Sequence, residues 1–161
     1  MGKTKEELKL LVIDDNATSG ATLVGLLEEQ GISNITLVDD GLKAISQAVK
    51  EKPDLIFLDI KMPEIDGWLL CEMFSNMKRW AEIPVVLQTG LQGRENIKKG
   101  MALGAHSYVE KPMTEDKIAN VLEALQPVPG RMQCLRSEDG VLVVIDYAHT
   151  EDALTKVLDS L

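Results

Sequence analysis

Five groups in this chain are placed to do chemistry together: Asp14 and Asp15, a lone Asp59, Thr89 and Lys111, the last followed by Pro112. Each group closes a short apolar run. In an open parallel sheet the C-terminal strand ends converge on one edge, where such sheets bind ligands. Three carboxylates, a hydroxyl and an ammonium gathered there describe a site for Mg²⁺ and a phosphoryl group. Clustered carboxylates repel and are costly to bury unless a cation neutralises them. Mg²⁺ takes an octahedron of oxygens and usually keeps waters. Asp15 and Asp59 supply two ligands in this reading, a loop carbonyl after Asp59 a third, and Asp14 acts through a water. A carboxylate beside such an ion is also a nucleophile towards phosphorus, giving an aspartyl phosphate. Lys111 pairs with Asp59 at rest and with the phosphoryl oxygens afterwards, and Thr89 donates a hydrogen bond to the same oxygens.

The elements that must position these groups alternate along residues 8–125. Leu10-Leu11-Val12-Ile13 is a buried-strand run that stops at Asp14. Residues 18–30 form a helix with Leu23, Leu26 and Leu27 on one face and Gly31 as a stop. Ile35-Thr36-Leu37-Val38 alternates in polarity, which suits a strand near an edge. A second helix covers residues 41–50, and Pro53 ends it before Leu55-Ile56-Phe57-Leu58 leads into Asp59. Asp66 is an N-cap for a helix over residues 68–77. Pro84-Val85-Val86-Leu87 leads to Thr89-Gly90, residues 94–103 are helical, and Ser107-Tyr108-Val109 is a fifth strand stopped by Pro112. Thr114 caps a fifth helix bearing Ile118, Val121, Leu122 and Leu125 at helical spacing. Strands alternating with helices predict an α/β fold with a doubly wound, five-stranded parallel sheet.

Composition narrows the function classes. The chain has 161 residues, 45% of them hydrophobic, which suits one soluble domain and a small addition. No apolar run approaches the roughly 18 residues of a membrane span. The charged start, residues 1–9, lacks the apolar core of a signal peptide. Cys71 and Cys134 form no CxxC, so a reducing cytoplasm without a structural disulfide is expected. A formal charge of −9 argues against a nucleic-acid partner. His106 and His149 lack ligand-like spacing, so no zinc site is expected.

After Pro127, Pro129 and Gly130 the pattern changes. Residues 132–136 and 141–145 read as two strands around the turn Ser137-Glu138-Asp139-Gly140, and Thr150 caps a helix with Leu154, Val157, Leu158 and Leu161 on one face. A ββα appendage of roughly 30 residues is below the size that usually folds alone. It must dock on the first domain, pair with a second copy or stay loosely ordered; its unpaired strands seek an edge, and pairing between chains would give a homodimer through residues 127–161. The expected division is a lead over 1–7, one domain over 8–126 and the appendage over 127–161.

Leu11-Val12-Ile13-Asp14-Asp15-Asn16, Leu58-Asp59-Ile60-Lys61-Met62-Pro63-Glu64-Ile65-Asp66-Gly67, Thr89-Gly90 and Tyr108-Val109-Glu110-Lys111-Pro112 resemble the receiver domain of two-component response regulators, the CheY-like family. The resemblance covers about residues 8–125 with the motifs in order. It implies the flavodoxin-like strand order 2-1-3-4-5. It further implies that Asp59 accepts a phosphoryl group from a histidine kinase or phosphotransfer protein. Asp14, Asp15, Asp59 and the Lys61 carbonyl would hold Mg²⁺, with Lys111 and Thr89 on the phosphoryl group. Thr89 and Tyr108 would act as the switch, coupling the site to the face of the fourth helix, fifth strand and fifth helix. Such a module is a phosphoacceptor and no conventional enzyme. Gly90 departs from the family's usual Ala.

The tail resembles a second family. Gly130-Arg131-Met132 and Asp146-Tyr147-Ala148-His149-Thr150, with Asp152-Ala153-Leu154 and Lys156-Val157-Leu158, are similar to an interior segment of the Mur ligases, the muramoyl-tripeptide synthetases. Glu151 stands where that family has Pro, and the rest of a ligase is lacking. Gly2-Lys3-Thr4 is no P-loop, because it precedes a strand instead of following one. Ligase activity is therefore not expected, and Asp146 and His149 read as structural. The alternative to a plain signalling module is an engineered or rearranged chimera whose tail serves folding or dimerisation. A haloacid-dehalogenase-type phosphatase is more remote, because its DxD nucleophile follows the first strand. A nucleotide-binding flavodoxin-like domain would need a glycine-rich loop there.

Overall fold

The computed structural model describes residues 3–90, 94–125, 133–136 and 142–145. The strands β1 (Lys9–Ile13), β2 (Asn34–Val38), β3 (Leu55–Asp59), β4 (Val85–Thr89) and β5 (Ser107–Glu110) form one parallel sheet in the order β2-β1-β3-β4-β5. Between and after them run α1 (Ala17–Glu29), α2 (Gly41–Glu51), α3 (Gly67–Asn76), α4 (Arg94–Ala102) and α5 (Glu115–Ala124). The order reverses between β1 and β3, so the open crevice of the sheet falls between their C-terminal ends.

Local chemistry sets the helix ends. The side chains of Asn16, Asp40 and Asp66 accept backbone N–H bonds at the starts of α1, α2 and α3. Thr114 caps α5, its hydroxyl accepting from the Lys117 N–H at 3.3 Å. Gly31 follows α1 at φ +89°, a conformation that costs glycine little. Lys52 takes the same region at φ 50° and ends α2 before Pro53.

Every residue of β3 is buried, as expected of a strand covered on both faces. Leu11, Ile13, Ile56, Leu58, Val85 and Leu87 share one cluster with Ala44 and Ala48 of α2 and with Leu70, Cys71 and Phe74 of α3. The alternate residues Leu10, Val12, Phe57, Val86 and Val109 are buried on the other face, as are Leu23 and Leu27 of α1 and Ile118 of α5. The edge strand β2 is only partly covered, matching its mixed polarity. Cys71 is a buried free thiol. No helix among the described residues is long and apolar enough to cross a membrane.

The chain divides into two compact units, Met1–Glu123 and Ala124–Leu161. In the second, β6 (Gln133–Arg136) pairs antiparallel with β7 (Leu142–Ile145). These are the two strands expected of the tail. The helix expected after Thr150 lies outside the described residues, as do Asp146 and His149.

Candidate functional site

β1 and β3 end side by side, and the residues that follow their apolar runs meet there. One carboxylate oxygen from each of Asp14, Asp15 and Asp59 lies within 4.8 Å of the other two. Asp14 and Asp59 are 1% and 5% exposed, and Asp15 is exposed. The two buried carboxylates are held alike. Asp14 Oδ1 accepts from the Asn16 N–H at 2.9 Å, and Asp59 Oδ1 accepts from the Lys61 N–H at 3.0 Å. Lys111 leaves the end of β5 and donates to Asp59 Oδ2 at 3.0 Å and to Asp14 Oδ2 at 3.3 Å. The sequence pointed to the Asp59 pair; the Asp14 pair is an addition from the structure.

Three carboxylates against one ammonium leave the cluster two negative charges in excess. Burial pushes the Asp59 carboxyl above the usual aspartate range, and the hydrogen bonds from Lys111 and the Lys61 N–H only partly offset it. Burial alone would lower the Lys111 ammonium, but its bond to Asp59 and the charges of Asp59 and Asp14 outweigh that and raise it. Lys111 thus stays charged and holds together two groups that would otherwise repel.

The loop after β3 is pinned closely. The Gly67 N–H donates to the Ile60 carbonyl at 3.2 Å, and a Cβ at Gly67 would overlap the Asp59 carbonyl and the Ile60 backbone. Only glycine lets α3 begin so near the end of β3. Lys61 lies in this loop, two residues past Asp59, with its N–H already committed to that carboxylate. Thr89 ends β4, in register with Glu110 of β5. Tyr108 is half-buried on β5 against the α2–α3 core cluster. With Leu87, Ile97 and Met101 it lines a shallow cleft below α4. Lys99 of α4 sits 4.6 Å from the centre of the Trp68 ring, linking α4 to the start of α3.

One polar residue escaped the sequence reading. Gln88 interrupts β4 directly before Thr89 and is fully buried, and neither end of its amide has a hydrogen-bond partner. The signal was a glutamine closing an otherwise apolar strand run.

The fold is that of the receiver domain of the sensor histidine kinase PA1611 from Pseudomonas aeruginosa, with a TM-score of 0.65 at 21% identity. That match covers 73% of this chain and 95% of the other, whose structure has a magnesium ion coordinated in its active-site cleft. The family model of the response regulator receiver domain matches residues 10–123, and the chain belongs to that family, the phosphoacceptor modules of two-component signalling. Protein PilG of P. aeruginosa is 31% identical over 127 residues, covering 79% of this chain and 93% of PilG. The histidine-protein kinase BarA of Escherichia coli is 29% identical over 128 residues, covering 80% of this chain but only 14% of BarA. The same module thus occurs nearly alone and inside a much longer kinase.

Proposed function

We propose that Asp59 is the phosphoacceptor of this receiver and that Asp14, Asp15, Asp59 and the Lys61 carbonyl hold Mg²⁺ beside it. The observation that carries the reading is the cluster of three carboxylates bridged by one lysine. Its residues fit a divalent ion: the oxygens are hard ligands, the surplus charge is minus two, and Lys111 already serves as an internal cation between two of them. When bound, Mg²⁺ would screen the charge of both reactants.

The phosphodonor is a phosphohistidine on a kinase or phosphotransfer protein. A carboxylate oxygen of Asp59 attacks phosphorus, the P–N bond breaks, and its electron pair returns to the imidazole, which takes up a proton. Lys111 then follows the charge from the carboxylates onto the phosphoryl oxygens, and the Thr89 hydroxyl donates to another of them. Thr89 and Tyr108 carry the change to the face formed by α4, β5 and α5. The cleft beneath α4 beside Tyr108 supports this coupling. The net charge of −9 and the acidic site fit a cytoplasmic protein partner better than a nucleic acid.

For the remainder, the reading is a receiver over residues 8–126 and a Mur-ligase-like segment over 127–161 that pairs with a second copy and has no ligase activity. The antiparallel pairing of β6 and β7 supports two strands in that segment. Incubation with acetyl phosphate and Mg²⁺, read by intact mass, tests the central reading. A phosphoryl adduct in the wild type that is lost in Asp59→Asn is expected; an adduct unaffected by Asp59→Asn would overturn it.

A further inference from the structure

We propose that the groove between α2 and α3 is a docking surface for a short amphipathic helix of a protein partner, acidic at the end that lies over the C-termini of the two helices. Among the described residues the large apolar side chains left exposed are Leu37, Leu42, Val49, Leu69 and Met77. Leu42 and Val49 lie on α2, Leu69 lies on α3 and Met77 caps its end, while α1, α4 and α5 carry none. Scattered apolar residues are ordinary on a surface, whereas a cluster marks an interaction site.

Sidedness decides whether they cluster. α2 and α3 pack on the same face of the sheet, since Ala44, Ala48, Leu70 and Phe74 share one cluster. They touch at their starts, where a Cβ at Gly41 would meet Ile65 and Leu70. Successive helix positions turn by about 100°. On α2, Glu51 marks the flank towards the edge strand, because its carboxylate accepts from the Thr36 hydroxyl of β2 at 2.8 Å. Leu42 and Val49 stand about 180° and 200° around from Glu51, so they face α3. On α3, Trp68 marks the flank towards α4, with Lys99 Nζ 4.6 Å from its ring centre. Met73 and Met77 stand about 140° and 180° from Trp68, on the side of α2, and Leu69 stands about 100° from it, on the outer rim. Both helices run back from the C-terminal edge of the sheet, so Leu42 is level with Leu69 and Val49 with Met77. The result is an apolar trough about 11 Å long.

Shape and charge name the occupant. A trough of two turns suits a helix presenting apolar residues at i, i+4 and i+7. The thioethers of Met73 and Met77 adapt to varied side chains. A second copy fits less well: a stable pair buries roughly 800 Å² from each partner, which a stripe two turns long does not supply. The chain carries a formal charge of −9, yet the lower ends of both helices are basic. Lys50 and Lys52 end α2, Lys78 and Arg79 follow α3, and all four are exposed. Glu51 and Asp54 beside them are bonded to Thr36 and Lys3, which leaves Glu82. The upper end bears exposed Glu64 and Asp66. A helix with one acidic end is therefore drawn to the basic end and held in one orientation.

Peptides selected from a displayed library of amphipathic helices against the whole chain test this. Their affinities are read by fluorescence anisotropy in EDTA, so that the carboxylate site plays no part. The selected peptides should carry glutamate or aspartate at one end. Leu42→Ser and Leu69→Ser, both at exposed positions, should weaken them about tenfold with the melting temperature unchanged. Lys78→Glu combined with Arg79→Glu should weaken them by a similar factor, and recoding the acids of the peptide to lysine should restore that loss. Binding untouched by the serine substitutions, no acidic bias among the selected peptides, or no selected binder would overturn the proposal. So would a dimer of the chain alone, seen in sedimentation, that Leu42→Ser and Leu69→Ser dissolve, since it would put a second copy in the groove.

Discussion

The two edges of the sheet treat polar groups differently. At the N-terminal edge Asp54 and His106 each have their own partners. Asp54 accepts from Lys3 Nζ at 2.8 Å and from the Lys9 N–H at 2.9 Å, while its own N–H donates to the Lys9 carbonyl at 2.7 Å. His106 and Val85 are paired both ways: the His106 N–H donates to the Val85 carbonyl at 2.9 Å, and Nδ1 accepts from the Val85 N–H at 3.3 Å. At the C-terminal edge three carboxylates share one ammonium, and a buried amide next to them has no partner at all. At one edge the polar groups named are paired with one another. The other holds an excess of negative charge that a cation would offset, beside a buried amide without a partner.

Removing Lys111 should separate the edges most sharply. Lys111→Met leaves Asp14 and Asp59 without their cation, and should lower stability by about 3 kcal/mol without metal. Mg²⁺ should restore much of it, as read by denaturant unfolding with and without the ion. A loss indifferent to Mg²⁺ would mean the lysine is only a packing element.

Acid should act oppositely on the fold and on the metal at the same residue. The Asp59 carboxyl is raised by burial, so its contribution to stability is complete below the unfolded aspartate value and is lost as pH rises through the folded value. Mg²⁺ needs the ionised form, so its affinity should fall as pH drops through that same folded value. Calorimetric titrations across this range should show the slope, and Asp59→Asn should remove it.

The balanced edge should respond less, and without regard to metal. Asp54→Ala should cost about 1 kcal/mol equally with and without Mg²⁺. Burial lowers the His106 imidazole, so its contribution is present above the unfolded histidine value and is lost as pH falls through the folded one. His106→Gln should flatten the acid side of the stability profile by a few tenths of a kcal/mol and leave Mg²⁺ binding alone.

The sequence made one edge far more legible than the other. Asp14, Asp15, Asp59 and Lys111 stood out because each ended an apolar run, and strand ends converge by topology. Asp66 and Thr114 were readable from local rules: a short acceptor side chain before a helical pattern is a cap. The strand order came from the resemblance, since alternation alone does not rank strands across a sheet. Gln88 was missed because one polar residue in an apolar run carries no periodic signal; only pairing with Asp59 and Val109 gives it meaning. The Lys111–Asp14 bond was missed for a related reason, as it spans 97 positions and depends on how far a side chain reaches across β4.

The most direct test of the central claim is to locate the phosphoryl group. Phosphorylation with acetyl phosphate and Mg²⁺, followed by borohydride reduction, converts an aspartyl phosphate to homoserine, which peptide mass spectrometry can place. The account predicts homoserine at position 59 alone, formed only when Mg²⁺ is present. Homoserine at 14 or 15, or equal labelling without the metal, would contradict it.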